Sequence, residues 1–282
     1  MDAFRLYNGV EIPANGFGVY QISKEDCKKS VLSALKAGYR HIDTAQAYFN
    51  EEEVGEALSE SIVARKDVFL TTKVWIDNYG RGKTYDSVME SMRKLRTDYL
   101  DLILLHQPVG DCYSAYRDLE RLYEDGRVRA IGVSNFYPDR LVDICNFSDI
   151  KPMVDQIEVN VFDQQIEAKK WADKYQVLLE AWAPFAEGRN NMFHNKTLTE
   201  IAKKHNCSVA QVILRWLYQR GIISLAKSTH EERIRENYNI RSFELDEKDM
   251  KLIETLDTRT SSFFSHQDPN IIEWFRKLIQ ER

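Results

Sequence analysis

A lysine, Lys73, stands inside the apolar run Phe69-Leu-Thr-Thr-Lys-Val-Trp75, and an aspartate, Asp43, closes another, His41-Ile-Asp43. An ammonium in such a segment is costly to bury unless an anion meets it, so Asp43 is its natural partner, in a structural ion pair or a catalytic one. Tyr48 follows Asp43 in Asp-Thr-Ala-Gln-Ala-Tyr, and His106 ends Leu100-Asp-Leu-Ile-Leu-Leu-His106. A phenol with a pKa of ~10 donates a proton poorly at neutral pH, and an adjacent ammonium lowers that value by stabilising phenolate. Lys73 is the candidate ammonium. Taken singly, a tyrosine here packs and a histidine is a hydrogen-bonded core residue. The same habit of ending an apolar run recurs at Ser134 with Asn135, Gln156 with Glu158, Trp182 and Lys227.

These side chains meet only if their segments run parallel and end on one face. β-branched, apolar runs cover Gly16 to Tyr20, His41 to Ala45, Val68 to Val74, Leu100 to His106, Val128 to Ser134, Met153 to Val159, Val177 to Ala183 and Ile222 to Lys227. Stretches with apolar residues three and four apart lie between them, as at Val209, Val212, Ile213 and Leu217, which is helical spacing. Strands alternating with helices predict an α/β fold, a closed (β/α)₈ TIM barrel whose active site sits at the C-terminal strand ends. The rival is a doubly wound open sheet, but no G-x-G-x-x-G follows an early strand. Asp77 stands where a phosphate-cradling loop ending in Gly82-Lys-Thr84 needs its first glycine. Gly132-Val-Ser134-Asn-Phe136 lacks the second glycine of a nucleophile elbow.

The chain has 282 residues, 43% hydrophobic and 29% charged, ordinary globular usage and enough to bury a core without disulfides or metals. We expect one domain over residues 1–282. With 39 basic and 44 acidic residues the net charge is −5, which argues against a nucleic-acid partner. Cys27, Cys112, Cys145 and Cys207 form no metal-ligand spacing and read as free thiols of a reducing compartment. The N-terminus lacks the pattern of a signal peptide and no apolar run reaches membrane-spanning length, so a cytoplasmic location and no membrane partner are expected.

Several segments together resemble the aldo-keto reductases, in particular the short bacterial members of the diketogluconate reductase and glyoxal reductase type. They are Gly16-Phe-Gly-Val-Tyr20, Gly38-Tyr-Arg-His-Ile-Asp-Thr-Ala-Gln-Ala-Tyr48, Thr71-Thr-Lys73, Leu104-Leu-His-Gln-Pro108, Ile131-Gly-Val-Ser-Asn-Phe136, and Lys227-Ser228 with Arg233, Glu236 and Asn237. The resemblance implies NADPH-dependent reduction of an aldehyde or ketone, on a small-molecule substrate, by a monomer that needs no metal. It implies Tyr48 as general acid, Lys73 and Asp43 as its tuning pair, and His106 as the residue orienting the carbonyl. For NADPH/NADP+ it implies Ser134, Asn135 and Gln156 at the carboxamide and Trp182 stacked on the nicotinamide. Gly18, Val19, Tyr20, Asp43, Ala183, Pro184 and Phe185 would complete that wall. Lys227, Ser228 and Arg233 would hold the 2′-phosphate, and Glu236 and Asn237 the adenine.

By the same resemblance Tyr20, Tyr48, Phe49, Trp75, His106 and Gln107 line the substrate pocket, and a tail with Phe263, Phe264, His266 and Trp274 folds over its mouth. Gln107 stands where relatives commonly carry tryptophan, a polar wall in place of an apolar one. Leu225-Ala226 and Thr229-His230 depart from the usual residues flanking the terminal lysine. Two other readings compete: a barrel aldolase with Lys73 or Lys227 as Schiff-base nucleophile, and a non-catalytic relative.

Overall fold

The computed structural model describes residues 2–281. Eight parallel strands close into a barrel: β3 (Asn15–Gly18), β4 (His41–Asp43), β5 (Phe69–Val74), β6 (Leu102–Leu105), β7 (Ile131–Ser134), β8 (Val154–Glu158), β9 (Leu178–Trp182) and β10 (Ile223–Ala226), with β10 hydrogen-bonded to both β9 and β3. Seven of the eight expected apolar runs contain one of these strands and the first overlaps β3, which starts one residue earlier at Asn15, and the barrel is the fold this alternation predicted. A short antiparallel hairpin, β1 (Ala3–Arg5) and β2 (Glu11–Pro13), precedes it and was not foreseen. Tyr7 donates to the Lys151 carbonyl and Asn8 to the Arg129 carbonyl. Both carbonyls lie just before strands, so the hairpin covers the end of the barrel opposite the strand C-termini.

Helices pack outside: α1 (Lys24–Ala37), α2 (Glu51–Glu60), α3 (Lys83–Lys94), α4 (Cys112–Glu124), α5 (Pro138–Phe147), α6 (Ile166–Tyr175), α7 (Lys196–Lys204), α8 (Val209–Gln219), α9 (Glu231–Tyr238), α10 (Glu247–Glu254) and α11 (Pro269–Gln280). Their inward stripes explain the spacing seen in sequence: Val209, Val212, Ile213 and Leu217 of α8 are all buried. Gly38 ends α1 at φ 114°, donates back into the last turn, and lies so close to the Tyr238 ring that a Cβ would stand 2.7 Å from it. Only glycine combines that left-handed backbone with that approach. The contact helps α9 close the ring of helices against α1.

Six of the eight strands stop before the C-terminal end of the apolar run, whereas β5 and β7 end where the runs do, at Val74 and Ser134. Pairing stops where the backbone turns out of the barrel: Gln21, Asn135 and Ala183 have φ of 58°, 65° and 45°. Tyr20, Ala45, His106, Asn135 and Lys227 therefore sit in the first residues of loops. At the C-terminal face of such a barrel both these loops and the last residues of the strands can present side chains to a ligand. Among the described residues no helix is long and apolar enough to cross a membrane, and no group of three or more His, Cys, Asp or Glu could hold a metal ion.

Candidate active site

Asp43 ends β4 and Lys73 lies near the end of β5, on neighbouring strands. The fully buried Lys73 ammonium donates to Asp43 Oδ1 at 2.6 Å, to the Thr44 carbonyl at 2.9 Å and to Tyr48 Oη at 3.1 Å. An ammonium has three hydrogens, so every one is committed. Burial works against this charge, but the Asp43 carboxylate and the Tyr48 oxygen outweigh it and hold the Lys73 pKa above its usual value. Burial likewise pushes the Asp43 carboxyl up, opposed by Lys73 and by the Gln156 amide.

Tyr48 behaves otherwise than the sequence suggested. Lys73 does lie beside its hydroxyl, but burial is the larger effect and pushes the phenol up to about 12 rather than down. The physical reason is that the Lys73 charge is already matched by Asp43, whose own charge also raises the phenol. Tyr48 thus keeps its proton throughout the neutral range. A 3-10 turn, Gln46–Tyr48, carries it, and Phe49 at φ 57° ends that turn. Gln46 secures the turn: its Oε1 accepts from Trp75 N and Asn78 Nδ2, and its Nε2 donates to Ser87 and Ser91.

The His106 ring lies edge-on to Tyr48 at 5.6 Å between centroids, and to Trp75 at 5.1 Å. Asn135, left-handed at the end of β7, donates to the His106 carbonyl at 3.0 Å and to Ser134 Oγ at 3.2 Å, and its Oδ1 accepts from Trp182 Nε1 at 2.8 Å. One side chain thereby ties the histidine loop to the half-buried indole. Ser134 Oγ donates to the Gln156 carbonyl at 2.7 Å, and Gln156 Nε2 reaches Asp43 Oδ2 at 3.0 Å. The structure thus brings Asp43, Tyr48, Lys73, His106, Ser134, Asn135, Gln156 and Trp182 onto one end of the barrel, with Gly18 next to Asp43 in the sheet and Tyr20 ring-to-ring with Tyr48 at 4.9 Å.

A second group gathers beyond β10. Lys227 and Arg233 are exposed, and Arg233 makes no ion pair among the described residues. Ser228 is buried, its Oγ accepting from His230 N at 3.1 Å. Helix α9 begins at Glu231, and His230 before it provides no side-chain cap, which leaves N–H donors at its start. Glu231 is matched by Arg235 at 2.5 Å. Asn15 donates to the carbonyl of buried Asn237, and Glu236 is exposed. Unpaired cations beside an uncapped helix start form an arrangement suited to a phosphate group.

The model of the Aldo/keto reductase family matches residues 14–258, a span that contains every residue of both groups. The chain belongs to the aldo/keto reductase family. It is 45% identical over 257 residues to the glyoxal reductase of Bacillus subtilis (strain 168), covering 90% of this chain and 92% of the relative. Among solved structures, an aldo-keto reductase from a Medee basin deep-sea metagenome library superposes with a TM-score of 0.92 at 39% identity, over 95% of this chain and 99% of that one. The Bombyx mori aldo-keto reductase in complex with NADP gives a TM-score of 0.88 at 30% identity, over 93% and 95% of the two chains.

At the mouth of this aldo-keto reductase barrel, Tyr20 and Phe49 are more than half exposed, whereas Trp75 and Gln107 are buried. The Gln107 backbone is fixed from both sides by the Tyr79 hydroxyl, and its Oε1 lies 3.4 Å from Asn135 Nδ2. The tail does lie across the mouth: Phe275 of α11 meets Trp75 at 5.9 Å, and His266 stacks on Phe275 at 6.2 Å. Burial pushes His266 down to about 4, so it is neutral at physiological pH. Phe264 packs against both His266 and Phe275. Phe263 instead covers Trp182 at 5.3 Å, held by Arg189, which also donates to the Ser262 carbonyl at 2.6 Å. Trp274 is on the outer side and 45% exposed. Phe185 packs on Phe193, beyond Ala183 and Pro184.

Gln46 and Asn50 were missed in the sequence. Asn50 Nδ2 donates to the Val19 carbonyl and its Oδ1 accepts from Thr44, joining two site loops. Gln46 lies within the segment that flagged Tyr48, yet its partners come from the loop after β5 and from α3, which no local pattern connects to it.

Proposed function

We propose that this chain is an NADPH-dependent reductase that converts an aldehyde or ketone to the alcohol, with Tyr48 as general acid. The observation that carries the reading is the Tyr48 hydroxyl bonded at 3.1 Å to an ammonium that is itself bonded at 2.6 Å to Asp43, with the His106 ring alongside. Bound NADPH supplies a hydride to the carbonyl carbon. As negative charge grows on the carbonyl oxygen, Tyr48 Oη gives it a proton, and Lys73 stabilises the phenolate left behind. His106 orients the carbonyl oxygen toward Tyr48. These donors act where charge develops, so they favour the transition state over the ground state.

Three features fit the cofactor. Half-buried Trp182 offers a flat face with its N–H already satisfied. Gln156 Oε1 accepts no hydrogen bond among the described residues and remains for a donor of the carboxamide. Arg233, with Lys227 and Ser228, would hold the 2′-phosphate, while Glu236 and Asn237 lie on the adenine side. Gly18, Val19, Ala183, Pro184 and Phe185 form the backbone wall between these ends. The aldolase reading fits poorly at Lys73, because a Lys73 that donates to three acceptors has no lone pair to attack a carbonyl.

We read residues 1–282 as one catalytic domain, acting as a cytoplasmic monomer. The substrate pocket of Tyr20, Tyr48, Phe49, Trp75, His106 and Gln107 is aromatic with one amide. That lining suits small carbonyl compounds, and glyoxal and methylglyoxal head the panel to test. Titration with NADPH and with NADH, followed by tryptophan fluorescence, then addition of glyoxal, methylglyoxal or an aromatic aldehyde, tests the proposal. Carbonyl-dependent loss of the reduced-nicotinamide absorbance is expected; failure to bind either cofactor would overturn it.

A further inference from the structure

Beneath Asp43 and Lys73 the barrel carries another polar layer. Side chains two residues apart on a strand share a face, which places His41 below Asp43 on β4, Thr71 below Lys73 on β5 and Glu180 below Trp182 on β9. All three are completely buried. Gly16 of β3 makes the room, since a Cβ there would stand 2.7 Å from His41 Nδ1 and 2.6 Å from the Leu225 side chain. Glu180 Oε2 accepts from Gln156 Nε2 at 2.7 Å, and Oε1 lies 3.5 Å from His41 Nε2, itself 3.1 Å from Thr71 Oγ1. A carboxyl in a barrel interior is costly, and none of the proton-transfer chemistry above uses it.

Gln156 is the link. Its Nε2 donates to Asp43 Oδ2 at 3.0 Å and to Glu180 Oε2 at 2.7 Å, so both amide hydrogens are committed. Turning the amide over would set its oxygen against the Asp43 carboxylate. With Asp43 alone as anchor the group could still rotate about a single contact; Glu180 supplies the second point that fixes its plane.

We propose that Glu180 is a positioning residue for the cofactor: by accepting from Gln156 Nε2 it locks that amide so that Gln156 presents only Oε1, an acceptor, to the N–H of the nicotinamide carboxamide. The proposal rests on reading Gln156 as a carboxamide contact. Burial first, then the neighbouring Asp43 charge, push the Glu180 carboxyl up to about 8. It therefore anchors Gln156 as a neutral acid and adds no second negative charge beside Asp43.

The test compares NADPH with its reduced 3-acetylpyridine analogue, which carries a methyl where the carboxamide has its NH₂. Dissociation constants are measured for the wild type, Glu180→Leu, Glu180→Gln and Gln156→Leu. The wild type should prefer NADPH by about tenfold, the scale of one lost hydrogen bond. Glu180→Leu should lose most of that preference through weaker NADPH binding, and Glu180→Gln, which keeps an acceptor oxygen, should retain it. Preference lost in Gln156→Leu but kept in Glu180→Leu would overturn the role of Glu180 and leave the Gln156 contact standing. No preference in the wild type, or none lost in Gln156→Leu, would overturn the Gln156 contact and the proposal with it. Should Glu180→Leu not fold, hydrogen exchange of the wild-type Gln156 side-chain amide, assigned by its absence in Gln156→Leu, decides. Both protons should exchange slowly, and one exchanging as fast as an exposed glutamine would contradict the proposal.

Discussion

Lys73 Nζ stands 3.1 Å from Tyr48 Oη and 2.6 Å from Asp43 Oδ1, so the cation facing the phenol is already neutralised on its other side. Burial then decides the phenol's state, and the pKa is pushed up to about 12. Tyr48 holds its proton until an oxygen more basic than phenolate forms within reach. In the proposed reaction an alkoxide formed by hydride transfer would be such an oxygen, so the proposed acid would release its proton only as the chemistry occurs.

Removing one member of the buried pair should cost more than removing both. Lys73→Met leaves Asp43 as an uncompensated buried charge, for which a loss of ~3–5 kcal/mol is typical. Lys73→Met combined with Asp43→Asn should recover a large part of that stability in denaturant melts while staying inactive. A double variant no more stable than Lys73→Met would argue against the pair as a closed electrostatic unit.

Arg233 makes no ion pair among the described residues and sits beside the uncapped start of α9. Arg233→Ala should weaken NADPH by at least ~10-fold, the loss of one charge-assisted contact, and NADH by less than ~2-fold. Equal weakening of both would place the 2′-phosphate elsewhere.

Much of this was legible in the amino-acid sequence because barrel strands are buried on both faces. Uninterrupted apolar runs such as Leu102 to Leu105 stand out, and a polar residue that ends one is conspicuous. Asp43, Lys73 and His106 were found that way. Gln46 and Asn50 escaped because most of their partners, Trp75, Asn78, Ser87 and Ser91 for Gln46 and Val19 for Asn50, are distant in sequence and brought near only by the fold. The direction of the Tyr48 shift escaped because a sequence shows which charge is near but not how much water is excluded. The β1–β2 hairpin escaped because its strands are three residues each, too short for a pattern.

The pH dependence of stability should carry a signature of Glu180. Its folded-state pKa is raised to about 8 from 4.5. Below the unfolded value both states hold the proton; as pH rises toward 8 only the unfolded state releases it, so stability falls across that window. Glu180→Gln, which cannot ionise, should match the wild type near pH 4 and melt at least ~2 °C higher by pH 8. His41, Asp43 and Lys73 are the titratable groups around it and are common to both proteins. Melting curves that stay parallel from pH 4 to 8 would mean that Glu180 ionises normally in the folded chain.

Gly55 of α2 lies against the Lys94 and Leu95 backbone at the end of α3, where a Cβ would collide with the Lys94 carbonyl. Gly55→Ala should therefore destabilise by ~1–3 kcal/mol through overpacking, although alanine is the better helix former. A neutral or stabilised variant in thermal melts would show that the two helices separate easily.

The most direct test of the account is a single-turnover comparison of the wild type with Tyr48→Phe. Each protein is loaded with NADPH and mixed with an excess of aldehyde, and the reduced-nicotinamide absorbance is followed. Tyr48→Phe is expected to bind NADPH within about twofold of the wild type and to oxidise it at least ~10²-fold more slowly, the contribution of a positioned general acid. Oxidation at the wild-type rate would contradict the assignment of Tyr48 and return the proton to another donor.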